Sequence, residues 1–237
     1  MQRIEIIYEL GSQEPVHVWE KIASVLESLG DNNSLSLYGK KVKLIMLPAE
    51  IKKLKGKGFN IESDTFVFHM ATIANHDQVL LQIDSKHCLN NWWSCWTEEF
   101  TKIKGFVQAW LVDEEFDYWQ NASDAIEYRS KGRSYEGLPM ISNGLPPPLE
   151  QLEIDTSDNV GLRKICDGYV EAIGAKMWLS DRFLDITGNN IESLSDNCEA
   201  NIEQLDNGVY ELKMPADLFV DDTSLDEQRK LRRALFK

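Results

Sequence analysis

The sequence predicts an α+β fold, a mixed or mainly antiparallel sheet with flanking helices, on three observations. Short β-prone runs follow one another without a helix between each pair. Amphipathic helical segments lie near the two ends of the chain. A tight-turn tripeptide, Asp206-Asn207-Gly208, joins two β-prone runs as a hairpin does. The 237 residues are 43% hydrophobic and 27% charged, an ordinary globular balance, and suffice for one large domain or two smaller ones.

The elements follow in order. Ile4, Ile6 and Tyr8 alternate with Glu5 and Glu9, so the chain opens on a strand expected to keep one wet face. From Glu14 to Leu29 the apolar positions Val18, Ile22, Val25, Leu26 and Leu29 recur at helical steps, with Pro15 in the first turn and Gly30 placed to end the helix. Strands are expected at 34–38, 42–47, 65–72 and 78–84, with a helical interruption at 48–54. Asn90 and Asn91 can cap a helix through Lys104 that presents Trp92, Trp93, Trp96, Phe100 and Ile103, and Phe106 to Val112 reads as a buried strand.

Residues 129–148 hold three glycines and four of the seven prolines, which leaves a connector or a long ordered loop between an N-terminal half (1–128) and a C-terminal half (149–237), or within one integrated domain. Beyond it come β-prone runs at 149–154 and 169–179 and the hairpin 202–213. The chain closes on a helix with Ser224 and Glu227 spaced as a capping box, Asp221 and Asp222 before it, and Arg229, Lys230, Arg232, Arg233 and Lys237 toward its end. Gly105-Phe106-Val107-Gln108-Ala109 with Trp110-Leu111-Val112-Asp113 echoes Gly168-Tyr169-Val170-Glu171-Ala172 with Trp178-Leu179-Ser180-Asp181, which fits either two related halves or chance similarity.

Charge narrows the function. The net charge is −14, yet residues 1–60 carry 9 basic and 7 acidic side chains, so the remainder holds 16 basic against 32 acidic. A nucleic-acid binder needs a concentrated basic face, and the only basic cluster, Lys40, Lys41, Lys43, Lys52, Lys53, Lys55 and Lys57, reads first as a solvated face. No apolar run approaches the ~20 residues of a membrane helix, and no signal-peptide core opens the chain. Four scattered cysteines (Cys88, Cys95, Cys166, Cys198) suit a reducing compartment, so a cytoplasmic protein is expected, with neither membrane nor nucleic acid as direct partner.

Catalytic patterns are weak. There is no phosphate-cradling loop and no nucleophile elbow, and the spacings of His69, His76, His87, Cys88 and Cys95 match no zinc pattern, so neither cofactor nor metal is expected. Glu211-Leu212-Lys213, with Asp206 upstream, has the E-x-K form of a Mg²⁺ nuclease, but Glu50-Ile51-Lys52 has it too. A hydrolase using an unidentified carboxylate pair stays open as the alternative. Acids interleaved with aromatics stand out instead. Asp113, Glu114, Glu115 and Asp117 sit among Phe116, Tyr118 and Trp119, and Asp217 to Glu227 surrounds Leu218, Phe219, Val220 and Leu225 with carboxylates. One reading is a helix with inward aromatics and solvated acids. The other is a docking face, in which Asp113, Glu114, Glu115, Asp117, Asp221 and Asp222 steer a basic partner and Trp119 anchors it.

Several short motifs resemble a known family: Asp117-Tyr118-Trp119-Gln120-Asn121, Glu127-Tyr128-Arg129, Gly132-Arg133-Ser134-Tyr135-Glu136-Gly137-Leu138-Pro139, Asn143-Gly144-Leu145-Pro146-Pro147-Pro148, and Gly168-Tyr169-Val170-Glu171-Ala172 with Met177-Trp178-Leu179. Together they are similar to bacterial polymorphic-toxin immunity proteins, in particular immunity protein family 52. The resemblance implies an antitoxin of interbacterial competition and type VI secretion, non-catalytic itself, that binds and neutralises a cognate toxin, typically a nuclease of restriction-endonuclease-like fold. It carries no residue map of the contact. Gly132 to Pro148 fits either part of that contact or a stiff connector.

Overall fold

A computed structural model of the chain describes residues 1–31, 34–87 and 91–236. The expectations placed on Cys88, Asn90 and Lys237 fall outside these residues. In chain order the elements are β1 (Gln2–Glu9), α1 (Pro15–Leu29), β2 (Ser36–Leu37), β3 (Lys40–Lys41), α2 (Leu47–Lys53), β4 (Phe59–Glu62), β5 (Phe66–Ile73), β6 (Gln78–Ser85), α3 (Ser94–Phe100), β7 (Phe106–Asp113), α4 (Glu114–Asn121) and α5 (Ala125–Ser130). They continue with β8 (Met140–Ser142), β9 (Leu152–Ile154), β10 (Lys164–Cys166), β11 (Tyr169–Glu171), β12 (Lys176–Ser180), α6 (Asp181–Thr187), α7 (Ile191–Asn197), β13 (Asn201–Gln204), β14 (Val209–Lys213) and α8 (Leu225–Leu235). No helix among the described residues is long and apolar enough to cross a membrane.

The architecture is the α+β class that the pattern predicts. Ten strands form one antiparallel sheet in the order β13-β14-β12-β7-β1-β6-β5-β4-β2-β3, and β8–β9 and β10–β11 are separate hairpins. The seam between the two stretches of chain is β7 on β12, where Met177 opposes Trp110 and Trp178 opposes Ala109. Gly174 lets this seam close, since a Cβ there would stand 2.6 Å from the Leu111 carbonyl oxygen.

Each face of the sheet carries its own core. On one face Ile4, Ile6 and Tyr8 of β1 meet Trp19, Ile22 and Leu26 of α1, Ile51 of α2, Trp96 and Phe100 of α3, and Phe59, Phe68 and Leu81 of the neighbouring strands. On the other, Ile7, Val107, Trp110, Met177, Leu179 and Leu212 meet Phe183 of α6, Leu194 of α7 and Leu231 and Leu235 of α8. The expected wet face of β1 is therefore corrected: Glu5 is only 2% exposed. A central strand is covered on both sides, and Glu5 is tolerated there because Arg163 and Gln82 bond its carboxylate.

Several expectations match. Helix α1 ends at Gly30 in the left-handed conformation (φ 71°), and the β13–β14 hairpin turns through Asn207 and Gly208 at φ 61° and 68°. Others are corrected. Residues 42–47 are not a strand, because Leu44–Met46 forms a single tight turn that leads into α2, whose first turn holds Pro48. The helix expected to reach Lys104 stops at Phe100, and Gly105 (φ 80°) redirects the chain into β7. The run 169–179 divides into β11 and β12 around Gly174. The capping box does not form: Ser224 (φ −103°, ψ 22°) follows a tight turn, and its hydroxyl accepts from the Gln228 side chain instead.

The internal echo maps onto unlike places in its first part, β7 against the β10–β11 hairpin, and onto alike junctions in its second. Both β7 and β12 run into a helix whose capping residue, Asp113 or Ser180, accepts from the N–H of a phenylalanine, Phe116 or Phe183.

Candidate functional site

Asp113 ends β7 in an extended conformation and accepts the Phe116 N–H at 2.9 Å, so it is the cap that starts α4. Glu114, Glu115 and Asp117 then fall in the first turn, where the helix dipole favours negative charge. Successive helical residues point about 100° apart, so these acids cannot share one direction. The structure sorts them into two environments.

Glu114 and Asp117 turn toward the sheet. Arg3 of β1 donates to Glu114 at 3.2 Å and also pairs with Asp84. Arg163, on the segment before β10, donates through two guanidinium nitrogens to Asp117, one of them at 2.7 Å, and through a third to Glu5 at 2.8 Å. Asp117 is 13% exposed, and burial raises its carboxyl above the usual range, opposed by Arg163. Its role is to tie α4 to the 160s segment, so it lies away from the open surface on which steering was expected.

Asp113 and Glu115 face a cleft of about 500 Å³. Phe116 and Trp119 line it from α4, Val220, Asp221 and Asp222 come from the segment before α8, and Leu138, Pro139, Asp155 and Asp158 close it from the chain around β8 and β9. The two acid-aromatic segments of the sequence thus meet around one space, although 97 residues separate them. Trp119 is packed edge-on against Tyr118 and Tyr128, with centroids 5.0 and 4.7 Å away. Arg133, the only basic residue among the described lining residues, stacks 4.5 Å above the Trp119 ring.

Two of the cleft carboxylates are set by their own loops. Asp221 accepts from the Thr223 hydroxyl and N–H, and Asp155 from the Ser157 hydroxyl and N–H, and these bonds lower both below the usual carboxylate range. Six carboxylates around one arginine make a field that attracts cations and repels polyanions. Asp155 and Asp158 were not singled out by sequence reasoning, and Arg133 entered it only as part of a family motif. A signal existed: residues 134–158 hold five acidic side chains and no lysine or arginine, which a charge count by large blocks blurs.

A second groove, of about 570 Å³, runs between α3 and the open face of β12 and β14. Here the E-x-K residues lie together: Glu211 is buried, its carboxylate 2.7 Å from the Lys213 ammonium, with Asp206 and Trp178 also on the lining. Among the described residues no three His, Cys, Asp or Glu side chains are grouped to hold a metal ion. His69 lies on β5 opposite Gln82, and His76 is 3.1 Å from Asp167. The seven lysines of the basic cluster are exposed on and around β3 and α2. Lys40 and Lys41 form the terminal strand, a placement that discourages edge pairing.

No family model matches this chain, and no curated protein does. Among solved structures, the Pseudomonas aeruginosa T6SS protein PA0821 superposes with a TM-score of 0.53 at 9% identity, over 99% of this chain and 72% of that one. The likeness is one of fold.

Proposed function

We propose that this chain is an immunity protein that binds and neutralises a cognate bacterial toxin, acting by contact and without catalysis of its own. The observation that carries the reading is the cleft of Asp113, Glu115, Asp155, Asp158, Asp221 and Asp222 around Trp119. An exposed acidic cleft with an aromatic floor complements a protein whose working surface is basic, and a nuclease has such a surface because its substrate is a polyanion. Motifs like those of immunity protein family 52 and a fold shared with a protein described as T6SS support a setting in type VI secretion. In this reading the carboxylates govern how fast the partners meet, and Trp119 and Phe116 govern how long they stay.

The test takes the product of the adjacent gene as the candidate toxin. Glu115, Asp158 and Asp222 are exposed and cap no helix or turn, so Glu115→Lys, Asp158→Lys and Asp222→Lys together reverse the field while sparing the fold. Wild type rescues toxin-expressing cells. In stopped-flow mixing at low salt the triple variant associates roughly 10- to 1,000-fold more slowly, with a flatter salt dependence. Failure of wild type to rescue defeats the immunity reading, and an unchanged association rate defeats the cleft as its site.

A further inference from the structure

Between Leu138 and Leu152 the chain leaves the body as the β8–β9 hairpin and carries apolar side chains into water. Ile141, Leu145, Leu149 and Leu152 are 52%, 50%, 62% and 66% exposed, and Met140 is exposed as well. Single exposed apolar residues need no explanation, but here Met140 and Leu152 stand on one face of the hairpin, Ile141 on the other, and Leu145 and Leu149 at its tip, so the arm is apolar on both faces, as a segment that inserts into a partner is. The hairpin is built to hold its shape. Met140 pairs with Ile154 and Ser142 with Leu152, and the Asn143 side-chain oxygen accepts from the N–H groups of Leu145 and Gln151 at 3.2 Å each. Its base is fixed by Ile154, buried against Tyr128 and bonded to the Ser123 carbonyl at 2.8 Å.

We infer that this hairpin is an apolar docking arm for the same basic protein partner that the acidic cleft admits, the two forming one continuous interface. The inference rests on the proposed function and adds where the partner is gripped. Continuity comes from Leu138 and Pro139, which belong to the start of the arm and also line the cleft. Charge selects the occupant: from Ser134 to Asp158 there are five acidic residues and no basic one. A second copy would bring two acidic arms together, and an anionic membrane or a nucleic acid would meet like charge, so the surface fits a protein that presents lysine or arginine beside an apolar strip.

The experiment compares full-length wild type, the arm variant Ile141→Ser/Leu145→Ser/Leu149→Ser/Leu152→Ser, and the cleft triple reversal. The probe is the same candidate toxin, the product of the adjacent gene, carrying an inactivating substitution, and binding is followed by surface plasmon resonance. The four replaced side chains are at least half in water, so an unchanged thermal midpoint is expected, and the single variant Ile141→Ser serves if it shifts. The arm variant dissociates on the order of 100-fold faster with association within about twofold of wild type, while the cleft reversal does the opposite. An arm variant that dissociates at the wild-type rate, beside a cleft reversal that still slows association, overturns the arm and leaves the function standing. If wild type does not bind the toxin, both fall. A dimer of wild type alone that the arm variant dissolves without changing toxin binding assigns the arm to self-association and overturns the inference.

Discussion

Arg163 is the residue on which the C-terminal stretch leans, and its removal has a calculable cost. Arg163→Met keeps the aliphatic stem but leaves Glu5, 2% exposed on the central strand, and Asp117, 13% exposed, without their shared cation. Breaking one side of a buried ion pair costs about 3–5 kcal/mol because a charge is left in low dielectric. Here the lower end applies: Arg163 itself is 21% exposed, Gln82 still donates to Glu5 at 3.0 Å, and Arg3 remains 3.8 Å away. A loss of about 3 kcal/mol in a chain of this size corresponds to a fall of roughly 6–12 °C in Tm.

Urea and thermal melts of Arg163→Met, Glu5→Gln and the double variant measure it, and the double variant should lose less than the two single losses together, since the orphaned charge has gone. Arg163→Lys should fall between, as one ammonium cannot reproduce the three-nitrogen grip. Acid supplies a further check. Burial already raises Asp117 above its unfolded value, so the folded chain holds that proton more tightly. The stability this contributes is present below the ordinary carboxylate range, near pH ~4, and is lost as pH rises through the raised value. Removing the opposing guanidinium raises Asp117 further, so the cost of Arg163→Met should shrink from pH 8 to pH 5. A Tm within about 1 °C of wild type would refute the tie, since it implies a loss well under 1 kcal/mol.

Three other outcomes follow from the geometry. Asp113→Asn keeps the cap of α4 and removes a cleft charge, so association with the proposed toxin partner should slow at unchanged Tm, whereas Asp113→Ala also loses about 1 kcal/mol of stability, read by urea melts. Gly174→Ala places a methyl 2.6 Å from the Leu111 carbonyl oxygen, and overpacking the seam should cost about 1–3 kcal/mol and speed amide exchange in β7 and β12. Asp155 and Asp221 keep their charges below the usual carboxylate range, so part of the salt-dependent association with the proposed partner should survive at pH ~4, where an ordinary aspartate is close to half protonated, as stopped-flow mixing will read directly.

What could be read from the sequence were features whose cause is local. Helix α1 announces itself through its apolar stripe and Gly30, strand β7 through an apolar run between turn signals, and the last hairpin through Asn207-Gly208. The acid-aromatic segments were visible as compositions, and their meeting in one cleft was not, because it depends on how β7 and the segment before α8 pack on the same side of the sheet. Glu5 looked solvent-facing because its neutralising partner lies 158 residues away in sequence. Asp117 looked equivalent to Glu115 until the turn of α4 gave each a direction. The capping box at Ser224 failed for a similar reason: a turn just before the helix took Ser224 out of the extended conformation the motif needs.

The seam between β7 and β12 bears on what happens when the backbone is cut. The β8–β9 arm lies between these strands in sequence but outside the sheet, so a protease that nicks the exposed loop at 144–149 severs the chain without removing any rung of the ten-stranded ladder. The nicked molecule should migrate as two fragments under denaturing conditions and as one particle under native ones. Fragments made separately would each carry an open strand edge, β7 on one and β12 on the other, with Trp110 and Met177 stripped of cover. They should aggregate apart and reassemble when mixed, which makes the arm a natural breakpoint for a split reporter.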